Sequence, residues 1–391
     1  MPVTIITSDR FADHLTPPGH PERAARAHVM DAVAAQWAER GVPVLAPRKA
    51  TREELLRVHA PDYLDRIAAS AGRAVMLDED TFTSPDTPEV AGLAAGAAIV
   101  AVDWVLEGQV GQVGTPAAPP PAISALPALV PSALVLVRPP GHHAEAARAM
   151  GFCIYSNVAI AAAHALARGL TRVAVVDYDV HHGNGTQWTF YRDPRVLFVS
   201  THQFPFYPGT GSAGEVGSAA GEGFTVNVPI EAGATDGDYA LVFDRVVLAV
   251  LDAFRPQLLL VSAGFDAHMR DPLAMMRMSI GGFNQLARRL HDRAAATGFP
   301  VVFVTEGGYH LKALAACLDG LVRVSLGERA SLSPIPPEAV PLPMSGGGAD
   351  AEPLVVDEMP LAEHGPVAQT HRGSAAVDLV RAIQKRYWPG L

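Results

Sequence analysis

The segment VAVVDYDVHHGNGTQ, residues 173–187, ends an apolar run with carboxylates and imidazoles. Asp177, Asp179 and His181 lie two residues apart, and a glycine-rich turn follows them. Burying such groups is unfavourable unless a counter-charge, a hydrogen-bond partner or a metal compensates them. If the strand continued through the segment, its two-residue period would place the three side chains on one face. The pattern predicts a polar site at the end of a buried strand.

A carboxylate beside an imidazole forms half of a metal site, and the motif SAGFDAH supplies a further carboxylate, Asp266. Asp179, His181 and Asp266 would offer two oxygens and one nitrogen and leave a fourth position open, as in catalytic zinc sites. Such a metal would lower the pKa of bound water and polarise a carbonyl group. For an isolated Asp-x-His, a hydrogen-bonded pair at a sheet edge is the more frequent arrangement, and Asp266 could equally be a helix cap.

Two adjacent histidines, His142 and His143, follow a Pro-Pro-Gly turn in the motif RPPGHH. Adjacent residues do not share one side-chain direction in regular structure, so a loop must aim them. Histidine is the natural general acid or base near neutral pH, although surface histidines on a turn are the more frequent case for His-His alone. Asp177, which is not needed as a metal ligand, is free to hold one ring in a single tautomer.

The motif TEGGYH places Tyr309 after two glycines that allow a sharp bend. Its phenol could donate a hydrogen bond to a developing oxyanion, while the alternative is a tyrosine that only packs on its neighbours. A metal, a base and an oxyanion donor together indicate metal-assisted hydrolysis of an amide or ester.

Hydrophobic patterning predicts the elements that position these residues. Short runs rich in β-branched residues or leucine alternate with segments of helical length, which is typical of parallel strands buried on both faces. The strands are predicted at 3–7, 133–137, 172–177, 195–200, 257–262 and 300–305. The helices are predicted at 22–40, 51–70, 87–107, 157–168, 236–253, 282–297 and 311–325. In such sheets the ligand crevice lies beyond the carboxyl ends of the strands, where the reactive side chains occur.

This alternation predicts one α/β domain over residues 1–391, with a core at about 3–325 built around a parallel sheet. The Pro/Ala-rich segment 114–132 is predicted to be a surface loop before a strand. A Pro/Gly-rich segment at 332–353 precedes a predicted closing helix at about 374–388.

Composition narrows the class of protein. Nearly half of the residues are hydrophobic (49%) and 18% are charged, so a packed core is expected. A net charge of −10 without a Lys/Arg-rich block argues against a nucleic-acid binder. Two cysteines cannot form a disulfide framework, and neither a secretory signal nor an uninterrupted membrane span is evident. We therefore expect a cytoplasmic protein without a membrane partner; a homo-oligomer is compatible with the sequence.

The motifs together resemble the zinc-dependent histone deacetylase family, within the arginase/deacetylase superfamily. In chain order they are RPPGHHA, GFCIYSNVAIAA, DYDVHHGNGTQ, HQFPFYPGTG, SAGFDAH, DPL and TEGGY. The match runs from about residue 9 to about residue 325. It implies an open three-layer α/β/α fold with a mainly parallel sheet of about eight strands, and one catalytic Zn²⁺ held by Asp179, His181 and Asp266.

The resemblance also implies the roles of the catalytic residues. His143 would be the base toward the zinc water and the proton donor to the leaving amine. His142 would be oriented by Asp177 and act mainly electrostatically, and Tyr309 would stabilise the tetrahedral oxyanion.

The same resemblance implies a narrow tunnel for the acyl chain. Phe152 and Tyr207 would form its walls, and the carbonyl of Gly151 would face the substrate amide. The family often carries a structural monovalent cation as well, so K⁺ is expected here near Asp177, Asp179, His181 and Ser200.

One departure concerns Asn184, where the nuclear class I enzymes have an aspartate. Asn184 and the segment DEDTFTSPDT resemble class II and related bacterial members instead. An asparagine carries no negative charge, so it would raise the pKa of its histidine less than an aspartate would.

Leu273, in DPLAMM, lies where polyamine-selective relatives can carry an acidic residue. A leucine offers nothing to a second ammonium group, which favours acyl-lysine or a small acetylated amine over an acetylpolyamine.

The leading prediction is therefore a zinc-dependent deacetylase acting on an N-acylated amine, with an acetylpolyamine amidohydrolase as the alternative. An arginase-like binuclear manganese hydrolase needs further bridging carboxylates, and DYDVHHGNG has histidines and an asparagine in those places. A catalytically silent sensor of acyl amines or metal on the same fold would be indicated by loss of His143, Tyr309 or a zinc ligand, and all of these are present.

Overall fold

A parallel sheet forms the centre of the protein, whose computed structural model describes residues 2–110, 130–328 and 370–391. The strands of the described residues are β1 Val3–Ile6, β2 Val44–Leu45, β3 Val75–Asp78, β4 Thr81–Thr83, β5 Ser132–Val135, β6 Val173–Asp177, β7 Val196–Gln203, β8 Thr225–Ile230, β9 Leu258–Ala263 and β10 Val301–Thr305. Eight of them form the sheet in the order β2-β1-β5-β10-β9-β6-β7-β8, and every neighbouring pair is parallel. β3 and β4 form a separate antiparallel hairpin.

Helices follow most strands, as parallel connections require. The α-helices of the described residues are α1 Ala25–Glu39, α2 Arg52–Leu56, α3 Pro61–Ala68, α4 Thr87–Val110, α5 Asn157–Ala167, α6 Asn184–Phe190, α7 Asp236–Val242, α8 Leu248–Phe254, α9 Ile280–Thr297, α10 Leu311–Ser325 and α11 His371–Gln384. A π-helical segment, Phe243–Val247, joins α7 to α8. The predicted α/β fold with a central parallel sheet of about eight strands is confirmed.

Hydrophobic cores lie on both faces of the sheet, which makes the architecture three-layered. Successive strand residues point to opposite faces, so Leu134 packs into one core with residues of α1, α9 and α10. Its neighbours Ala133 and Val135 pack into the other core with residues of α4 and α5. All strand residues of β5, β6, β9 and β10 are buried, which explains why each reads as a continuous apolar run.

The structure differs from the predicted elements at several places. The edge strands β2 and β8 and the hairpin were not predicted, because β2 has only two residues and β8 contains Asn227 and Pro229. The helix predicted at 51–70 is two helices, since Pro61 begins a new one. The closing helix begins and ends earlier than predicted, at His371–Gln384. The segment 332–353 and the predicted loop up to residue 129 lie outside the described residues; the end of that loop, Ser132, starts β5.

Among the described residues, α4 is the one helix that is long and apolar enough to cross a membrane, over Thr87–Glu107. Within the structure, 67% of that window is buried. The helix packs against α5, β5 and β10, as a core helix does.

The sheet order places four loops side by side at the carboxyl edge. β5, β10, β9 and β6 are consecutive neighbours, and the loops after them carry, respectively, the tandem histidines, Tyr309, Asp266 and the segment from Asp177 to His181. Because parallel strands end at the same edge, residues more than 160 positions apart in sequence meet there.

Two glycines of α4 allow a test of this packing. A Cβ at Gly96 would lie 1.7 Å from the backbone oxygen of Arg48, whereas at Gly92 it would meet only the flexible side chain of Lys49, at 3.0 Å. Alanine favours a helix over glycine by ~1 kcal/mol, but overpacking costs about 1–3 kcal/mol. We expect Gly96→Ala to lower the free energy of unfolding in urea by about 2 kcal/mol and Gly92→Ala to change it by less than about 1 kcal/mol. Equal effects would contradict the close approach at Gly96.

Candidate metal centre and active site

Asp179, His181 and Asp266 bring their ligand atoms within 4.8 Å of one another, and all three residues are buried. Nδ1 of His181 lies 3.2 Å from Oδ1 of Asp179 and 3.1 Å from Oδ2 of Asp266. The two loops that contribute them follow β6 and β9, which are hydrogen-bonded neighbours. The structure therefore gathers the three residues that the sequence nominated as metal ligands.

The loop after β6, and not a continued strand, aims these side chains. β6 ends at Asp177, so strand periodicity does not explain their common direction. Instead Oδ1 of Asp177 accepts from the amide of Asp179 (3.1 Å), and Oδ1 of Asp179 accepts from the amide of His181 (2.9 Å). The amide of Val180 donates to Oδ1 of Asp266 at 3.0 Å, which ties the loop to the neighbouring strand end.

Glycines make room for the two carboxylates. A Cβ at Gly307 would lie 2.1 Å from Oδ2 of Asp266, and a Cβ at Gly264 would lie 2.0 Å from Oδ2 of Asp179. The amide of Gly307 also donates to Oδ2 of Asp179 at 2.8 Å. Any larger residue at either position would displace the cluster.

The charge balance of the cluster fits a bound divalent cation. Burial and the charge of Asp179 raise the pKa of Asp266, as expected for two carboxylates that approach each other away from water. A cation between them would relieve this repulsion. Two carboxylate oxygens and one imidazole nitrogen also form a donor set that Zn²⁺ accepts. These residues therefore fit the metal that the sequence implies.

The tandem histidines lie beside the cluster with their ring centroids 4.0 Å apart. Nδ1 of His142 is 3.0 Å from Oδ2 of Asp177, and its Nε2 is 3.7 Å from Oδ1 of Asp179. Burial alone would lower the pKa of His142, but Asp179 and Asp177 outweigh it and raise this pKa to about 10. The two aspartates therefore favour the charged form of His142.

His143 has a different environment and the opposite pKa shift. Its Nδ1 lies 2.7 Å from Oδ1 of Asn184. The amide nitrogen of Asn184 faces Oε1 of Glu145 at 2.8 Å; since a carboxylate only accepts, this assigns the amide orientation and makes Nδ1 of His143 the donor. Burial lowers the pKa of His143 well below its usual value, and the charges of His142 and His181 lower it further. These effects favour the neutral form of His143, with Nε2 as the acceptor.

Aromatic rings surround His143 on the solvent side. The ring of Tyr207 is 5.2 Å from the ring of His143 and 38% of the tyrosine is exposed. Phe152 lies 5.7 Å from the ring of Tyr309, edge to face. Gly151 has φ = 56° and packs so closely that a Cβ would lie 2.3 Å from Cδ2 of His143. Both predicted tunnel walls therefore adjoin predicted catalytic residues.

Tyr309 is buried behind these rings, and the peptide that joins it to Gly308 is held on both sides. Its amide donates to Oδ2 of Asp271 at 2.7 Å. The guanidinium of Arg26 lies 5.0 Å from the centre of its ring and donates through Nε to the carbonyl of Gly308 at 2.8 Å. Leu273 follows Asp271 in the same loop, half-buried, and its amide donates to Oδ1 of Asp271 at 3.0 Å.

Ser200 in β7 lies directly beside its register partner Asp177 in β6. Its hydroxyl pairs with Nδ1 of His202 at 2.9 Å. The monovalent cation expected near Ser200, Asp177, Asp179 and His181 stays a prediction.

Several residues of the site escaped the sequence analysis. Glu306 and Asp271 lie inside recognised motifs, TEGGY and DPL, but their partners are amides that no pattern reveals. Phe206 stacks on His181 at a centroid distance of 5.3 Å and is one residue from Tyr207. Arg26 is more than 280 residues from the loop it holds, and nothing in its surrounding sequence marks it.

Comparison with known proteins identifies the family of the fold. Residues 20–325 match the histone deacetylase domain. A probable deacetylase of Archaeoglobus fulgidus is 36% identical over 312 residues, which cover 79% of this chain and 81% of that protein. A histone deacetylase-like amidohydrolase of Pseudomonas aeruginosa is 39% identical, over 72% of this chain and 70% of that protein. The chloroplastic histone deacetylase 10 of Oryza sativa subsp. japonica is 40% identical over 71% of this chain, but the match spans only 62% of the rice protein.

A solved structure gives the same result. The crystal structure of the HDA15 HD domain is similar with a TM-score of 0.78 and 32% sequence identity, and the match covers 99% of this chain and 97% of that one. Both the sequence and the arrangement of elements are therefore similar to those of histone deacetylase domains.

The glycine at 307 allows a test of the metal centre that needs no substrate. We expect Gly307→Ala to weaken Zn²⁺ binding to chelator-treated protein at least tenfold, because the new methyl group would push the carboxylates of Asp266 and Asp179 apart. Isothermal titration calorimetry measures this affinity. Gly214→Ala, at an exposed position where a Cβ meets nothing closer than 3.9 Å, is the control and should bind as the wild type does. Equal affinity in both variants would mean that Zn²⁺ binds elsewhere.

Proposed function

The chain belongs to the histone deacetylase family, and from this premise we propose that it is a zinc-dependent deacetylase that hydrolyses the amide of acyl-lysine or of a small acylated amine. Deacetylase- and amidohydrolase-named relatives support a hydrolase of this class. The observation that carries the proposal is that a buried Asp-His-Asp cluster lies beside two histidines, of which one pairs with an aspartate and the other with a neutral amide.

The arrangement assigns a role to each side chain. Zinc held by Asp179, His181 and Asp266 would supply a water of lowered pKa and polarise the acyl carbonyl. His143, whose neutral form is favoured by burial and by the neighbouring His142, accepts a proton at Nε2 and later delivers it to the leaving amine. His142, whose charge Asp177 holds in place, stabilises negative charge as it develops.

Tyr309 completes this set as the donor to the oxyanion. Its backbone is fixed by Asp271 and its ring lies between Phe152 and the guanidinium of Arg26. A preoriented hydroxyl stabilises the transition state more than the ground state, since the oxygen gains charge only as the carbonyl is attacked.

The substrate proposed from the tunnel is an extended acylated amine. Phe152 and Tyr207 offer apolar ring faces, which suit a methylene chain better than a charged one. Leu273 gives no partner to a second ammonium group, so acyl-lysine is favoured and an acetylated polyamine is the alternative. K⁺ near Ser200 is retained as part of the proposal.

A direct assay decides between these functions. We expect turnover of a fluorogenic acetyl-lysine peptide that is abolished by a chelator and restored by Zn²⁺, with kcat/KM higher than for acetylspermidine or acetylputrescine. The reverse order of kcat/KM would favour the polyamine alternative. Zinc binding without turnover of any acylated amine would indicate a silent sensor and contradict the proposal.

A variant of Tyr309 tests the role of the oxyanion donor in the same assay, with a variant of Tyr387 as the matched control. Tyr309→Phe should lower kcat about 10²- to 10³-fold, as loss of one oxyanion donor does, while KM changes less than about threefold. Tyr387→Phe removes a hydroxyl that contacts Glu222 near the carboxyl terminus and should leave both constants unchanged.

The partner of His143 predicts the pH dependence. A base must be neutral to accept a proton, so a lowered pKa extends activity toward acidic pH. An aspartate at 184 would stabilise the protonated ring and raise the pKa of His143. We expect Asn184→Asp to shift the acidic limb of the kcat/KM profile to higher pH, and Asn184→Ala to lack this shift. An unchanged acidic limb in the aspartate variant would show that His143 is not the base.

A further inference from the structure

Glu306 is the first residue after β10, and its carboxylate reaches the loop that carries the tandem histidines. Oε2 accepts from the amide of Gly141 at 2.6 Å and from the amide of His142 at 3.1 Å. The two preceding residues are Pro139 and Pro140, which have no N–H. The carboxylate thus binds the two amides that lie between these prolines and His143.

The carbonyl group of the same residue, His142, is held as well. The carbonyl of His142 accepts from the amides of Gly185 (2.9 Å) and Thr186 (3.2 Å) in the first turn of α6. That turn begins with Asn184, which binds the ring of His143. The backbone of His142 is therefore clamped between Glu306 and α6.

No apolar residue could perform this task. Glu306 is fully buried, and within the described residues its carboxylate accepts one further hydrogen bond, from the hydroxyl of Ser262 at 3.3 Å. Arg26 donates to the backbone carbonyl of Glu306 and not to its carboxylate. Burial raises the pKa of Glu306 to about 7, against the opposing charge of His142. The protein thus buries an ionisable group whose direct partners are neutral donors, two of them in the histidine loop.

The loop cannot move freely to compensate for loss of this contact. A Cβ at Gly141 would lie 2.5 Å from the amide nitrogen of Asn157 at the start of α5, so the loop already presses on that helix. Without Glu306, two buried amides would lose their acceptor, and only a shift of the loop could expose them to water.

We propose that Glu306 is a positioning residue for the tandem histidines: by holding the amides of Gly141 and His142, its carboxylate fixes both imidazoles relative to Asp177 and the metal cluster. Among the described residues, the hydrogen bonds of the Glu306 carboxylate go to Gly141, His142 and Ser262, and none goes to the side chain of a proposed metal ligand. The inference rests on the proposed function for its catalytic consequence, but its geometric part stands without it.

Two substitutions distinguish a positioning role of Glu306 from a role in folding alone. Glu306→Ala removes the acceptor, whereas in Glu306→Gln the amide oxygen can accept from both loop amides and the NH₂ group can donate to Ser262. We expect the alanine variant to lose about 30- to 100-fold in kcat with KM within threefold, since small displacements of catalytic groups have effects of this size. The glutamine variant should recover kcat to within about fivefold of wild type, and both should retain one zinc per chain.

Asp319→Ala is the matched control for loss of a buried carboxylate. Asp319 is 4% exposed and binds the indole of Trp37 and the guanidinium of Arg323, away from the site. Asp319→Ala should lower the melting temperature at least as much as Glu306→Ala does. It should not lower kcat at a temperature where both variants are folded.

Hydrogen–deuterium exchange of the peptide covering residues 139–145 gives a readout independent of activity. In metal-free protein we expect exchange about tenfold faster or more in Glu306→Ala and near wild-type exchange in Glu306→Gln. If the wild type shows the protected loop but no deacetylation, the proposed function fails and the positioning inference stands. Wild-type kcat in the alanine variant, unchanged exchange in it, or a glutamine variant as impaired as alanine would each overturn the inference.

Discussion

The compensation of buried carboxylates is the constraint on which the rest of the site depends. Asp177, Asp179 and Asp266 are fully buried at neighbouring strand ends, where each charge must find a partner. Backbone amides satisfy some of their oxygens, and two histidines and a metal-binding position are available to the others. Each carboxylate binds an amide of a neighbouring loop residue or strand end. The same contacts therefore compensate the buried charges and fix the conformation of the loops.

That constraint explains how two adjacent residues acquire different chemistry. His142 contacts an aspartate, which favours its charged form, whereas His143 contacts a neutral amide, which gives its charged form no such support. Their rings touch, so the charge of the first lowers the pKa of the second. An acid-base pair of this kind needs no difference in residue type, only a difference in the partner that each Nδ1 meets. The start of α6 supplies the neutral partner through Asn184.

The structure could be predicted from the sequence where a local pattern determines it. It could not be predicted where residues distant in the sequence meet. Six buried parallel strands could be predicted from continuous apolar runs, and the reactive residues from their place at strand ends. The edge strand β8 was missed because Asn227 and Pro229 interrupt its apolar pattern, and Pro61 splits a predicted helix. The common direction of Asp179 and His181 comes from side-chain-to-amide contacts in a loop, which no two-residue period describes. The acceptor role of Glu306 depends on a loop 165 residues earlier in the chain, so spacing along the sequence carries no sign of it.

A buried ion-pair network extends the same logic to the amino-terminal segment. Glu22 binds Arg138 through both oxygens, at 2.7 and 2.8 Å, and also contacts Arg26 at 3.1 Å. Arg138 begins the histidine loop, and Arg26 holds the carbonyls of Glu306 and Gly308 before Tyr309. One carboxylate thus orients two guanidiniums that support the base and the oxyanion donor. Removing one partner of such a network leaves buried charge uncompensated, so the segment before α1 is a structural part of the active site although it supplies no reacting group.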